Sequence, residues 1–503
     1  MKTYSIHCLG RTMAMLGIIW LCSIANVSAQ NADRETTTWV KDALKHDQRI
    51  HASQLDVVTH DGIVTLTGHV PTIAAQRYAV QEAEKIKGVT GVTDELQVDV
   101  EKLEDIDIVH DVQQRLEHNA TIETKHLHVT CLDGQVTLDG EVADYAEEQE
   151  AGLVASEVRG VRGVNNYLIS KYSGKHSDDQ IERDVWAALN RDVYLSGLPF
   201  NVNVKDGEVT LTGKVGNAYE KSRASDEIHQ IEQVKAVNNR LAVDPSLGNG
   251  VRTGHTWPSE EALQASLKED LDHDSRIDAA DITVDVEYGH AVLDGSVTTN
   301  REKRIAEQDA YDIVGVTSVA NHLTINAPLC DDHLLDTLIE SELRSDAMLH
   351  RFDLGIHSAA GTVTITGKVD TVYEKTHAED VVGHVRGVRS IDNRISVSEA
   401  KRLSDAELKA AIQSRLKHNR ETSFCGDDIR VEVLNGVAVL SGSVDLAIER
   451  YQAERVAFHT AGIWKVENRL VIEGVDYPWE EWQQEIPKDF DGLFFPRCYF
   501  NYG

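Results

Sequence analysis

The sequence predicts an α+β fold in which one small αββαβ module is used six times in tandem. A pair of glycines six residues apart returns six times along the chain. Around each pair, the apolar residues change from a helical period to a strand period in the same order, and such internal repetition is typical of modular proteins. The 503 residues are 41% apolar and 26% charged, which are ordinary values for globular domains.

The glycine pairs fix the register of the repeat. They are Gly62 and Gly68, Gly134 and Gly140, Gly207 and Gly213, Gly289 and Gly295, Gly361 and Gly367, and Gly436 and Gly442. Successive pairs are 72 to 75 residues apart, except for an interval of 82 residues between the third and the fourth. The longer interval contains the stretch DPSLGNGVRTGHTWP, whose glycines and prolines are typical of a flexible connection. We therefore expect two groups of three modules.

The sixth module shows each element clearly. Apolar residues recur every four positions over residues 408–416, as on one helix face, and alternate over 429–433, as in a half-buried strand. Asn435 and Gly436 predict a tight hairpin turn, because both residues tolerate a positive φ. A second strand follows to Val444, then a second helix over about 446–460 and a last strand over 466–472.

The order of these elements predicts the sheet. The last two strands are joined through a helix and should be parallel, whereas the hairpin is antiparallel. We expect a three-stranded mixed sheet in each module, with two helices on one face. A core of under 70 residues is small, so contacts between neighbouring modules should add stability. We expect these contacts between modules to be made by the open face of each sheet.

The chain begins with residues that are typical of an export signal. Lys2 and Arg11 accompany an apolar run over about 13–24, and small residues follow at 27–29. The predicted organisation is a signal peptide at 1–29, modules at 35–100, 104–171, 177–243, 258–326, 331–397 and 404–472, a linker at 244–257 and an aromatic-rich tail at 473–503. The run is too short to span a bilayer comfortably and no later segment qualifies, so we predict a periplasmic protein without a transmembrane helix in the mature chain.

Each module resembles the BON (bacterial OsmY and nodulation) domain. The resemblance rests on the αββαβ order, on closing motifs such as VNNRLAV, IDNRISV and VENRLVI, and on a glycine at the end of the second strand: Gly68, Gly140, Gly213, Gly295, Gly367 and Gly442. We interpret these glycines as structural, required by positive φ or close packing. The resemblance implies periplasmic residence, a role in envelope integrity or osmotic stress, an interaction with phospholipid or other envelope surfaces, and no enzymatic activity.

The residues predict no catalytic, cofactor or metal site. The mature chain contains no GxSxG or HExxH string, and the paired glycines lie inside a hairpin rather than before a helix, as a nucleotide site would require. His46, His118 and His418 lie near the ends of first helices, where a cation complements the helix dipole. The aspartates at 272, 274 and 278 lack the glycine and glutamate of a calcium loop, and CDDH at 330–333 lacks a second pair of zinc ligands.

Four cysteines lie beyond the predicted signal peptide, and the sequence does not pair them. Cys131, Cys330, Cys425 and Cys498 occur in unrelated contexts without a CxxC motif. Four cysteines allow three pairings, and an exported protein could form any of them.

The negative charge of the chain makes some classes of partner unfavourable. A formal charge of −33 repels phosphate backbones and excludes nucleic acid as a favoured partner. The sixth module is nearly neutral, with 9 basic and 10 acidic residues, so it is the best candidate for contact with anionic lipid. We predict a surface contact through Arg415, Lys417 and Arg420, together with Trp479 and Trp482 of the tail.

The sequence leaves other interpretations of these residues open. The basic residues could simply complete a helix C-terminus, and the aromatic residues of the tail could pack across the last sheet. The alternative function is a soluble periplasmic scaffold or chaperone-like binder of exported proteins, which the acidity favours.

Overall fold

The structure is a computed structural model that describes residues 30–50, 54–119, 121–171, 176–247, 258–328, 330–398, 403–422, 426 and 428–472. It contains six modules, units 1 to 6, and the signal peptide, most of the linker and the tail predicted from the sequence lie outside the described residues. Unit 1 contains α1 (30–46), β1 (Leu55–His60), β2 (Ile63–Val70), α2 (Ile73–Glu84) and β3 (Gly91–Val98). Unit 2 contains α3 (Asp105–His118), β4 (Leu127–Leu132), β5 (Gln135–Val142), α4 (Tyr145–Ser156) and β6 (Gly163–Ser170).

The remaining units repeat this order, and in units 3 to 5 the last strand is divided in two. Unit 3 contains α5 (Asp178–Arg191), β7 (Phe200–Lys205), β8 (Glu208–Val215), α6 (Ala218–His229), β9 (Ala236–Asn239) and β10 (Ala242–Val243). Unit 4 contains α7 (Glu260–His273), β11 (Ile282–Glu287), β12 (His290–Val297), α8 (Asn300–Asp312), β13 (Ser318–Asn321) and β14 (Thr324–Ile325). Unit 5 contains α9 (Asp332–Ser345), β15 (Leu354–Ala359), β16 (Thr362–Val369), α10 (Val372–Gly383), β17 (Ser390–Asn393) and β18 (Ser396–Val397). Unit 6 contains α11 (Asp405–His418), β19 (Arg430–Leu434), β20 (Val437–Val444), α12 (Ala447–Phe458) and β21 (Lys465–Ile472).

The predicted fold class is confirmed in every unit. The second strand is central, antiparallel to the first strand and parallel to the last, as in the pairing of β20 with β19 and β21. Both helices pack on one face of the sheet and enclose a separate apolar core. In unit 6 this core includes Leu408, Ile412 and Leu416 from the first helix, against Leu440 and Val466 from the sheet.

Two recurring polar interactions explain why the hairpin and the closing motif reappear in each copy. In unit 2, the Asp105 carboxylate at the start of α3 accepts hydrogen bonds from the backbone N–H groups of Asp133 and Gly134 in the hairpin turn, both at 3.0 Å. In unit 3, the Asn239 side-chain amide donates to the Lys221 carbonyl on α6 at 2.6 Å, which ties the last strand to the second helix. The first interaction fixes the hairpin turn to the start of the first helix, and unit 4 makes it with Glu260 in place of the aspartate.

The glycine that ends the second strand allows a close approach of two backbones. Gly68 has a φ of +116°, and a Cβ atom placed there would lie 2.1 Å from the Gln54 carbonyl oxygen. The equivalent Gly140 has a φ of +135° and the same conflict with His126, at 2.0 Å. Any side chain would therefore push the first strand away from the second.

The six units pack into pairs rather than forming a string. The end of the first helix of one unit forms a short antiparallel bridge with the end of the second helix of its partner, and the reciprocal bridge completes an approximate two-fold contact. Units 1 and 6 are joined by Asp47–Thr460 and Ile86–Asn419, units 2 and 5 by Asn119–Val385 and Val158–Asp346, and units 3 and 4 by Asp192–Ile313 and Ile231–Asp274.

Other contacts, between each two units of a group, join units 1 to 3 into one three-membered ring and units 4 to 6 into a second. In the first ring, Ser222 of unit 3 donates a hydrogen bond to Glu84 of unit 1, and Tyr145 of unit 2 lies edge-on to His229 of unit 3. In the second ring, Tyr311 of unit 4 stacks on Tyr451 of unit 6 at 5.0 Å. The contacts described above run through helices and helix ends, so the expectation that open sheet faces join the units is wrong.

Candidate functional site

The second helices of five units surround a central cavity of about 1210 Å³. Unit 1 contributes Arg49 and Tyr78, and units 2, 4, 5 and 6 contribute α4, α8, α10 and α12. The wall therefore exists only when the two rings are assembled. A cavity of this size is large enough for a small molecule, since such sites are typically about 300–1,000 Å³.

Ion pairs across the unit 2–unit 5 contact form one end of the wall. Arg115 lies 3.1 Å from Asp346 and 3.3 Å from Glu342, and His377 lies 3.1 Å from the same Asp346 carboxylate. Burial opposes ionisation of Asp346, but His377 and Arg115 hold the pKa of this carboxyl well below its usual range. Burial also opposes the charged imidazole, yet Asp346 raises the pKa of His377. These groups bind one another, so we interpret them as a structural network.

A second network joins units 1 and 6 and includes a residue that the sequence placed on the surface. Arg415 is 3% exposed, and its Nη2 atom lies 2.7 Å from Asp47 and 3.5 Å from Glu82. Burial opposes ionisation of Glu82, but Arg49 and the other nearby cations lower its pKa to about 2. The prediction of a surface contact through Arg415 is wrong, because this side chain neutralises acids of another unit.

The other residues predicted for that contact lie in different environments. Arg420 is 7% exposed, so it too is unsuited to an external contact, whereas Lys417 is exposed. Trp479 and Trp482 lie outside the described residues.

The hairpin end of each unit is the second candidate surface. We define it as the turn between the first two strands with the strand residue on either side of that turn, the adjoining start of the first helix and the residue that precedes the last strand. Seven of the thirteen large apolar side chains that are exposed in the described part of the chain lie at these ends: Ile63, Ile106, Leu132, Tyr288, Leu334, Leu434 and Trp464. Singly exposed apolar side chains are common on protein surfaces, so the candidates are the ends that carry two of them: Ile106 and Leu132 in unit 2, and Leu434 and Trp464 in unit 6.

Comparison with known proteins identifies the modules. The BON domain matches residues 32–100, 104–171, 177–245, 259–327, 331–399 and 404–474. The chain belongs to the BON family. Osmotically-inducible protein Y of Escherichia coli is 32% identical over 146 residues, which are 28% of this chain and 73% of that protein. Outer membrane lipoprotein DolP of Haemophilus influenzae is 28% identical over 162 residues, which are 31% of this chain and 80% of that protein.

The C-terminal domain of CdsD, a structural protein of the type III secretion system of Chlamydia trachomatis, is 17% identical; the match covers 44% of this chain and 99% of that chain, with a TM-score of 0.12. The PrgH periplasmic domain is 13% identical, and the match covers 43% of this chain and 100% of that chain, with a TM-score of 0.13.

Two of the three histidines predicted at the ends of first helices contact another BON unit through their rings. His118 is 2.7 Å from Glu342 of unit 5, and the ring of His418 stacks on Trp39 of unit 1 at 4.3 Å. His46 instead contacts the Asp42 carbonyl within its own helix, at 2.9 Å. The sequence could not show the contacts that His118 and His418 make with other units, because the residues that meet are more than 200 positions apart in the chain.

Other side chains considered as metal ligands or disulfide partners have local roles. Asp272 accepts a hydrogen bond from Lys268, and Asp274 accepts hydrogen bonds from Arg276. Cys131 and Cys330 are free thiols, and the Cys131 Sγ atom lies 3.3 Å from an Asp105 oxygen. Cys425 and Cys498 lie outside the described residues.

Sequence reasoning missed the three cavity glutamates of the BON units 4 to 6, Glu307, Glu379 and Glu454. They occupy the same position, eight residues after the N-cap of the second helix, where units 1 to 3 have Val80, Gly152 and Ser225. Aligning the six copies column by column would have shown this difference between the two groups.

Within the described residues, no helix has both the length and the hydropathy needed to cross a membrane.

Proposed function

We propose that this BON protein is a non-enzymatic component of the periplasm that acts in envelope integrity or osmotic stress by binding phospholipid or other envelope surfaces. The names of its relatives support the compartment and the stress role, since one is osmotically inducible and the other is an outer membrane lipoprotein. Export by the signal peptide at 1–29 and the module boundaries given above are parts of this proposal.

The exposed apolar side chains at the hairpin ends carry the proposal. In unit 6, Leu434 is 70% exposed, and Trp464 is 42% exposed beside it, with its indole N–H donating to the Asn435 carbonyl at 2.8 Å. Tryptophan with a satisfied N–H and an open ring face suits a surface that is half wet. Unit 6 is also close to neutral, so it is the unit least repelled by an anionic surface.

The hairpin end of unit 2 has a different chemistry. Ile106 is 77% exposed and Leu132 74% exposed, but Asp105 and Asp133 flank them. These carboxylates disfavour anionic lipid, so this end should contact zwitterionic lipid or a neutral envelope surface. Lys417, Trp479 and Trp482 remain proposed additional contacts.

Flotation of the mature chain with vesicles tests the proposal. Zwitterionic vesicles and vesicles containing anionic phospholipid are compared over a salt series, with the chain ending at Ile472 to test the tail. The double variant Leu434→Ser/Trp464→Ser should lower the recovered protein about threefold. The matched control is Tyr167→Ser/Ile169→Ser, which removes two side chains of 63% and 60% exposure from the outer sheet face of unit 2 and should leave recovery unchanged. If neither type of vesicle recruits the wild type at low salt, lipid binding is excluded.

A soluble scaffold or chaperone-like binder of exported proteins is the second candidate. The net charge of −33 favours it, because strong acidity keeps a protein soluble and opposes anionic membranes. The same hairpin ends would then contact unfolded chains. This candidate requires the wild type, and not the Leu434→Ser/Trp464→Ser variant, to suppress aggregation of an unfolding exported protein.

A further inference from the structure

The contact between units 1 and 6 balances its buried charges. In unit 1, Asp47 and Glu82 both pair with Arg49, at 2.7 and 2.8 Å. Arg415 of unit 6 supplies a second guanidinium to the same two acids. Because two cations face two carboxylates, this half of the contact is neutral with both acids ionised.

The contact between units 3 and 4 repeats this arrangement without the second cation. Asp274 and Asp309 of unit 4 occupy the equivalent positions, and Arg276 pairs with both, at 2.6 and 3.0 Å. In unit 3, Ala188 takes the place of Arg415, since both lie eleven residues after the N-cap of the first helix. One cation therefore faces two buried acids.

The two acids of unit 4 share a proton. The Asp274 and Asp309 side chains are hydrogen-bonded to each other, and a carboxylate cannot donate, so one of the two must be protonated. Burial and the Asp274 charge raise the pKa of Asp309 well above its usual range. Burial opposes ionisation of Asp274 too, but Arg276 lowers its pKa. Asp309 therefore holds the proton, and its loss leaves two carboxylates beside one guanidinium.

The reciprocal half of this contact also has more acids than cations. Arg223 of unit 3 serves three carboxylates, at 2.5, 3.4 and 3.0 Å: Asp192 and Glu227 of its own unit and Asp312 of unit 4. Asp270 of unit 4 pairs with Arg191 at 2.9 Å. Burial raises the pKa of Glu227 well above its usual range and that of Asp270 to about 6. Over the whole contact, these six acids face three arginines.

The charged groups around this contact do not balance the excess. The others that face it are Asp226, Glu232, Glu269 and His273 of units 3 and 4, and Lys85, Asp144 and Glu421 of neighbouring units. Within this set, Lys85 is the side chain with a permanent positive charge, and it pairs with Glu421 at 3.0 Å. The phenols of Tyr194 and Tyr219 beside Arg223 remain neutral, because burial raises the pKa of each well above its usual range.

We propose that the contact between units 3 and 4 is pH-sensitive, being tight while its acids hold protons and weakened when they ionise, whereas the contact between units 1 and 6 stays closed. Each ionisation adds a buried negative charge without a cation, and the open contact relieves this cost by exposing the acid to water. Acids with a raised pKa in the closed state contribute their full stability below the ordinary range near pH 4 and lose it as the pH rises through the raised values. Units 3 and 4 are consecutive in the chain and lie in different rings, so this weakening loosens one of the three contacts that hold the rings together.

Amide hydrogen exchange of the mature chain at pH 5.5 and pH 8 measures both contacts in the same molecule, independently of lipid binding. Val193 and Val314 donate backbone hydrogen bonds across the unit 3–unit 4 contact, at 3.2 and 3.1 Å, and Gln48 and Ala461 do so across the unit 1–unit 6 contact, at 3.0 and 2.7 Å. Protection factors correct for the effect of pH on the intrinsic exchange rate. We expect protection to fall about tenfold from pH 5.5 to pH 8 at the first contact and less than about twofold at the second.

The variant Asp309→Asn/Glu227→Gln imitates the protonated acids, because the new amide at position 309 can still donate to Asp274. It should keep the high protection of the unit 3–unit 4 contact at pH 8. The matched control is Asp206→Asn/Glu287→Gln, which removes the same two kinds of charge from exposed positions of the same units. The control should retain the fall seen in the wild type.

A second variant covers the case in which the first does not fold. Ala188→Arg introduces into unit 3 the arginine that unit 6 has at the equivalent position, so it should reduce the fall in protection. Equal pH dependence of the two contacts, no fall in the wild type, or a fall that persists in the folded double variant would overturn the proposal. Full recovery of protection at pH 8 on addition of Mg²⁺ would also overturn it, because a bound cation rather than a proton would then neutralise the acids.

Discussion

Glu374 and Glu449 occupy the same position in neighbouring units but differ in how their charge is compensated. Each is the third residue of its second helix, and one carboxylate oxygen accepts hydrogen bonds from the two backbone N–H groups before the helix. The other oxygen of Glu374 pairs with Arg351, whereas the other oxygen of Glu449 is buried and has no partner among the described residues. Burial raises the pKa of Glu449 to about 7.

The substitution Glu449→Gln should therefore stabilise the protein at neutral and alkaline pH. The folded state holds the proton of Glu449 more tightly than the unfolded chain, where the pKa is about 4.3. The cost of ionising the buried group grows as the pH rises through this interval and is complete above pH 7. We expect a gain of about 2 kcal/mol in the free energy of unfolding at pH 8 and little change at pH 4.5, measured by urea unfolding over a pH series.

Glu374→Gln is the control for this measurement. It keeps the same backbone hydrogen bonds but removes the acid that pairs with Arg351, so it should give no gain at any pH. Equal gains from the two substitutions, or a gain from Glu449→Gln that is the same at pH 4.5 and pH 8, would contradict the explanation by burial.

The contact between α11 and unit 1 depends on one buried cation. Arg415 reaches Asp47 and Glu82, and it also donates to the Val456 carbonyl at 3.2 Å. Replacing it by methionine conserves much of the volume but leaves buried acids with less compensation. We expect Arg415→Met to lower the free energy of unfolding by about 3 kcal/mol.

Lys417 lies two residues further along the same helix and is exposed, so Lys417→Met is the matched control. It should change the free energy of unfolding by less than about 0.5 kcal/mol. Calorimetry of both variants checks this prediction. Similar, small losses in the two would mean that α11 does not dock on unit 1 as described.

The local order of elements could be predicted from the sequence, but the burial of Arg415 could not. Leu408, Ile412 and Leu416 mark one helix face because each unit buries that face in its own core. Arg415 lies next to this face at a helix end, where a basic residue is usually solvated. Its partner Asp47 is 368 residues away, and no local pattern connects the two.

The arrangement of the units also could not be predicted from local sequence patterns. The second helices nevertheless contained an indication that they pack against other units. In α12, Ile448 packs between units, whereas Val456 packs in the core of unit 6, so this helix is apolar on more than one side. Such a helix has to pack both on the core of its own unit and on another unit, and this second contact is absent in a string of isolated units. The sheets have one apolar face each and are covered by their own helices, which is why they do not join the units.

The cavity, and any ligand within it, requires the two rings to close. Small-angle X-ray scattering of the mature chain in dilute solution tests this closure without relying on any single contact. A compact chain of this length should have a radius of gyration of about 23 Å and a single-peaked distance distribution. Six units joined as a string would give a larger radius, from about 30 Å for a flexible string to about 50 Å for a straight one, and a longer distance distribution. That result would contradict the paired, two-ring structure.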